Sequence, residues 1–119
     1  MIVSRSSEGE GKAIRTIEGQ PIEGRLLVNP RLRGAEMTLL EVHFSAGARS
    51  LLHAHDHESL VYVIRGRVRM TVGSEVHVLG PGDACLNPRG VAHGVESLED
   101  SMFIEVKSPV PNLDSVLGR

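Results

Sequence analysis

The densest chemistry in this chain is HAHDH at 53–57, three imidazoles within five positions. Six histidines occur in all: His43, His53, His55, His57, His77 and His93. On a β-strand, residues i and i+2 point to the same face. His53 and His55 on one strand would have Cα atoms about 6.6 Å apart. Two imidazoles at that spacing can converge on one ion, each reaching it at about 2.0–2.1 Å. A third ligand from a neighbouring strand would complete a facial set with open coordination positions. Imidazole donors suit Zn, Cu, Fe and Ni. An HxH pair by itself favours a solvated strand face over a metal site, because short motifs recur by chance.

The surrounding residues shift that balance. Gly47 lies six positions before His53, and Gly66 closes the segment GARSLLHAHDHESLVYVIRG (47–66). Fifteen residues separate Gly66 from Gly82, where GDACLNPRGVAHGVES (82–97) begins. The first segment resembles the first motif of the cupin family, G-x5-H-x-H-x3or4-E-x6-G. The second resembles the second motif, G-x5-P-x-G-x2-H-x3-N, through Gly82, Pro88, Gly90 and His93. Ser97 stands where that motif usually has Asn. The resemblance implies an all-β cupin, an RmlC-like jelly roll (double-stranded β-helix barrel). It also implies one divalent transition metal (Fe, Mn, Ni, Cu or Zn) on His53, His55 and His93, and a homodimer formed by exchange of N-terminal strands.

The first motif departs from the family at the acidic ligand, which would fall on Ser59. If 59–65 is a strand, Ser59, Val61 and Val63 face the cavity while Glu58 and Tyr62 face away. The acidic ligand is therefore not carried over to Glu58. A three-histidine site is expected, with Ser59, Val61 and Val63 as fourth-position or cavity residues and Leu52 as a further lining candidate. Loss of the carboxylate weakens affinity for hard ions such as Mn²⁺, and it leaves open a site that has lost its metal.

The elements that must position these residues read as short strands. MTLLEVHFSAG (37–47) sets Thr38, Leu40, Val42 and Phe44 at period two. Val68, Met70 and Val72 alternate with Arg67, Arg69 and Thr71. Gly66 and Gly73-Ser74 fit hairpin turns on either side of that strand. Asn29-Pro30 reads as a turn ending GRLLVNP (24–30). Met37, Met70 and Met102 read as core. His43 and His77 read as surface, and His57 is open between orienting a ligand and facing solvent in a turn. No segment holds a helical pattern over three turns. The C-terminal VPNLDSVLGR is open between one helical turn and a tail. One domain is expected over 1–119: a barrel over about 24–107, an N-terminal arm 1–23 and a tail 108–119. The arm is polar and Gly-rich, fit either for partial disorder or for an edge strand given to a partner.

Composition narrows the function. With 119 residues, 13 basic and 15 acidic side chains and a formal charge of -2, no strong field favours nucleic acid or an anionic membrane. Phe44, Phe103 and Tyr62 are the only aromatics besides histidine, too few for a base-stacking platform. No apolar run approaches the ~20 residues of a membrane helix. Cys85 is the only cysteine, as suits a reducing compartment, and it reads as a small buried hydrophobe; a cytoplasmic protein is expected. Three functions fit, each with a small-molecule partner. One is a small metalloenzyme, either a dioxygenase or an isomerase, cyclase or lyase using Lewis acidity. Another is a non-enzymatic module that binds or senses a small molecule or metal, a reading supported by the lack of any recognisable acid or base beyond the histidines. A third is a metal-free barrel with His53 or His93 as general base.

Overall fold

The computed structural model describes residues 1–6 and 12–111. Twelve strands follow in chain order: β1 Lys12–Ala13, β2 Thr16–Ile17, β3 Gln20–Glu23, β4 Leu26–Arg33, β5 Thr38–Phe44, β6 Arg49–His53, β7 Glu58–Arg65, β8 Val68–Val72, β9 Glu75–Leu79, β10 Ala84–Asn87, β11 His93–Ser97 and β12 Ser101–Ser108. They form two antiparallel sheets. One has the order β1-β4-β5-β12-β7-β10 and the other β2-β3-β6-β11-β8-β9. This is the expected all-β jelly roll. No helix among the described residues is long and apolar enough to cross a membrane.

Alternation builds the core. Thr38, Leu40, Val42 and Phe44 of β5 are buried, and the residues between them are half-buried. On β7, Ser59, Val61 and Val63 are buried while Glu58, Tyr62 and Ile64 are exposed. Val68 and Met70 come in from the opposite sheet. Phe44 and Phe103 stack at 5.9 Å between centroids. Each such side chain contributes about 1.5–3 kcal/mol on burial.

Three expectations change. Asn29-Pro30 is not a turn: β4 runs on to Arg33, with a register shift between Pro30 and Leu32. Pro30 stands at that irregularity, one of the places where a strand tolerates a missing N–H. Gly66 is not a hairpin turn either. It carries the chain from β7 in one sheet to β8 in the other, with φ +85° and a hypothetical Cβ in collision with Asp100 and Ser101. Met37 is exposed rather than core, because β5 begins one residue after it.

The described part of the N-terminal arm packs onto the barrel of the same chain. β1 pairs with β4, β3 pairs with β6, and Ile14 is buried. The C-terminal helical turn considered for VPNLDSVLGR falls almost wholly outside the described residues.

Candidate metal centre

His53 ends β6 and His93 begins β11, and the two are directly paired across the sheet. The pairing holds an irregularity: Leu51 and Leu52 of β6 lie opposite Gly94 alone. One extra residue reverses parity. It turns His53 inward on the same side as Ser50 and pushes Leu52 out, so Leu52 does not line the cavity. His55 lies just past the end of β6 rather than on it. A hydrogen bond from the Gly90 N–H to the His55 carbonyl, 2.9 Å, ties its loop to the turn that delivers His93. The two motifs thus meet through the backbone as well as through their imidazoles.

The result is a cluster of His53, His55 and His93 whose candidate ligand atoms all lie within 4.8 Å of one another. All three side chains are buried. Each ring has its Nδ1 against an acceptor: His53 on the Leu51 carbonyl at 2.7 Å, His93 on the Val91 carbonyl at 3.4 Å, His55 on Glu18 Oε1 at 3.1 Å. Those acceptors favour the tautomer with Nδ1–H, which leaves the Nε2 lone pairs as donors. Burial lowers the pKa of all three, to about 2 for His55 and about 4 for His93. Lys107 and the neighbouring imidazoles lower His55 further. Neutral imidazoles at this spacing are the form a transition ion requires, so the donor set fits one divalent ion.

Position 59 faces inward as its sequence parity implies, but Ser59 is not among the residues that line the cavity. Ser59 is buried and Glu58 is exposed. Val61 lines the cavity, whereas Val63 is fully buried in the core and does not reach the cavity wall. A carboxylate does stand beside Ser59, but it comes from β12. Glu105, opposite Val61, stands near enough to Ser59 for that hydroxyl to favour its ionised form. Lys107, opposite Ser59, is buried with its Nζ 3.6 Å from Glu105 Oε2. Burial would raise the Glu105 pKa; Lys107, Ser59 and nearby histidines outweigh it and hold the carboxyl below its ordinary value.

Lys107 also donates to His57 Nε2 at 3.0 Å. His57 is buried and stacks on His55 at 4.4 Å, so it does not face solvent. Burial and Lys107 push its pKa down to about 4. Asn87 Nδ2 donates to Ser59 Oγ at 3.1 Å, and Asn87 Oδ1 is buried with no protein donor among the described residues.

The cavity holding these groups has a volume of about 50 Å³, on a measure in which one water needs roughly 10–15 Å³. It admits a few waters or the reactive end of a small ligand. Its wall joins the three histidines, Asn87, Glu105 and Lys107 to an apolar remainder that includes Val42, Met70 and Phe103. Sequence reading missed Glu105, Lys107 and Asn87. The strand's own alternation gives no signal for the first two, because Met102, Ile104 and Val106 offer an apolar face opposite Phe103, Glu105 and Lys107. Cys85 is half-buried, and burial pushes its thiol up to about 11, which leaves it protonated and inert.

Fold and site together define a cupin, and the chain belongs to that family: the cupin domain model matches residues 40–106. Among its relatives is the pectin degradation protein KdgF of Dickeya dadantii, 36% identical over 76 residues, which are 62% of this chain and 69% of that protein. The structure of KdgF from Halomonas sp. superimposes with a TM-score of 0.82 at 25% identity, covering 93% of this chain and 97% of that one. An RmlC-like cupin from Shewanella frigidimarina gives a TM-score of 0.80 at 25% identity, covering 94% of each chain.

Proposed function

We propose that this cupin is a metal-dependent enzyme acting on a small, oxygen-rich organic acid, with one divalent transition ion held by His53, His55 and His93. The observation that carries the reading is the convergence of three neutral imidazoles, within 4.8 Å, on a small cavity. A bound ion supplies Lewis acidity toward a chelating substrate oxygen, and iron adds a route to O₂ chemistry.

The substrate class follows from charge. Three neutral imidazoles bring none, and Glu105 and Lys107 offset each other. An ion in this cavity is therefore best matched by an anionic oxygen donor. Asn87 Oδ1 accepts a substrate hydroxyl, which supplies the donor it lacks. Lys107 directs its remaining N–H toward a carboxylate. Glu105, kept ionised, holds a proton from the reacting carbon or hydroxyl. The similarity to the pectin degradation protein KdgF supports an acidic sugar, since pectin is a polymer of uronic acids.

The binding-module alternative rested on the absence of an acid or base beyond the histidines. Glu105 and Lys107 in the cavity wall remove that premise. A homodimer in the cytoplasm completes the reading. The lone Cys85 supports the compartment. Exposed Leu60, Tyr62, Ile64 and Leu86 on the outer face of β7 and β10 support the dimer, and light scattering at twice 12.9 kDa would verify it.

The test of function is metal content of untagged protein by elemental mass spectrometry, paired with consumption of monomeric uronates followed by NMR. Near-stoichiometric metal and turnover are expected in the wild type, and both should vanish in His53→Ala/His93→Ala. Coupled O₂ uptake would select oxygen chemistry over Lewis-acid chemistry. Metal-free wild type after reconstitution with Fe²⁺, Mn²⁺, Ni²⁺, Cu²⁺ and Zn²⁺ would defeat the metal reading.

A further inference from the structure

Glu18 lies well before the region matched by the cupin model, in the turn between β2 and β3. Ile17 pairs with Gln20, so Glu18 and Gly19 form a two-residue hairpin loop. Both take left-handed backbone, at φ +49° and +77°, and Glu18 is the one non-glycine residue with positive φ among those described. Such loops favour Asn-Gly, Asp-Gly or Gly-Gly. A glutamate at the first position breaks the local rule, and a residue held against its backbone preference points to something its side chain does.

That side chain reaches the metal centre. Glu18 Oε1 accepts from His55 Nδ1 at 3.1 Å, on an imidazole only 2% exposed. His53 and His93 use main-chain carbonyls at the same atom. His55, beyond the end of its strand, has no such carbonyl, and a carboxylate from the arm takes the place. The neighbour Ile17 lines the same cavity and Ile14 of the arm is buried in the core, so the hairpin is seated on the site rather than passing near it.

We infer that Glu18 is a positioning residue for the metal centre: by accepting the Nδ1–H of His55 it fixes that ring's tautomer and aims Nε2 at the ion, which makes the N-terminal arm part of the site. The inference rests on the metal reading above. Hydrogen-bonded partners of ligating histidines typically contribute 10–100-fold to metal affinity.

The test compares wild type, Glu18→Gln and Glu18→Gly without tags. Zn²⁺ affinity is read by competition with a chromophoric chelator, and the melting temperature is read after metal removal. Glu18→Gly should weaken Zn²⁺ binding 10–100-fold while leaving the metal-free melting temperature within a few degrees of wild type, because relief of the positive φ and loss of the His55 acceptor oppose each other. Glu18→Gln keeps an acceptor oxygen but not the charge, so its affinity should fall between the two. A merely structural role would move affinity and metal-free stability down together.

Equal affinity in all three proteins would overturn the inference, and so would a Glu18→Gly protein that loses metal-free stability along with affinity. Wild type that binds no Zn²⁺ would instead defeat the metal reading itself, before any variant is compared.

Discussion

Lys107 is the residue on which the cavity's polar wall turns. Its side chain is buried, 3.0 Å from His57 and 3.6 Å from Glu105. Removing one member of a buried ion pair leaves the other uncompensated, at a cost of about 3–5 kcal/mol, whereas removing both costs far less. Lys107→Met should therefore lower unfolding free energy by about 3 kcal/mol, and Glu105→Gln/Lys107→Met should recover much of that loss. Urea denaturation of the four members of this cycle measures it; additive single effects would mean that the two side chains do not act as a pair. The candidate ligand histidines were legible through the resemblance to the two cupin motifs, since HxH, Pro88, Gly90 and His93 sit at the intervals those motifs have. Glu105 and Lys107 were not. In SMFIEVK, Met102, Ile104 and Val106 offer as good an apolar face as Phe103 does, and a strand's parity cannot be chosen when both faces carry apolar residues. His57 was ambiguous for a similar reason: a histidine one turn from two ligands serves equally as a surface residue until β12 is known to pass over it.

At the scale of elements, the two glycines that bracket the first motif do different work. Gly47 has φ +81° with nothing within 4 Å of a hypothetical Cβ. Gly66 has φ +85° and, in addition, packs against the main chain of Asp100 and Ser101 where the chain changes sheets. Alanine at Gly47 carries only the left-handed backbone penalty, about 1–2 kcal/mol. Alanine at Gly66 carries that penalty plus a backbone clash, and should cost about 3 kcal/mol or more. Thermal melts of the two variants would separate these contributions, and equal losses would contradict the close approach at Gly66. Alternation fixed the inward faces of β5, β7 and β8 from sequence. It failed at β6, where the extra residue opposite Gly94 reverses parity and exposes Leu52. Such a bulge follows from how two strands pair, which no single strand's pattern records.

For the molecule as a whole, enclosing neutral imidazoles between two sheets makes stability depend on pH. Burial holds His57 and His93 near pKa 4, His55 near 2, and lowers His53 as well. In the unfolded chain each histidine takes a proton near its ordinary pKa of about 6.5. Below that pH the unfolded state binds more protons than the folded one, so stability is fully present above about pH 6.5 and falls as pH drops toward 4. Each histidine contributes a slope of about 1.4 kcal/mol per pH unit in that window. His57 and His93 alone thus remove up to about 3 kcal/mol per unit in mid-window, and roughly 4 kcal/mol between pH 6.5 and 4.5, of a stability that is typically 5–15 kcal/mol for a domain. The lowered Glu105 carboxyl acts in the same direction, but only below its ordinary value near 4.5. Chelator-treated protein should accordingly lose most of its urea resistance between pH 6.5 and 4.5, and His57→Gln should reduce the slope by about one histidine's share. Protein loaded with metal should be more stable at pH 7 and decline more steeply on acidification, because binding requires the same imidazoles to stay unprotonated. A urea midpoint that stays level from pH 7.5 to 4.5 in the metal-free protein would mean that these rings titrate in the folded protein as they do in the unfolded chain, and would overturn this pH dependence.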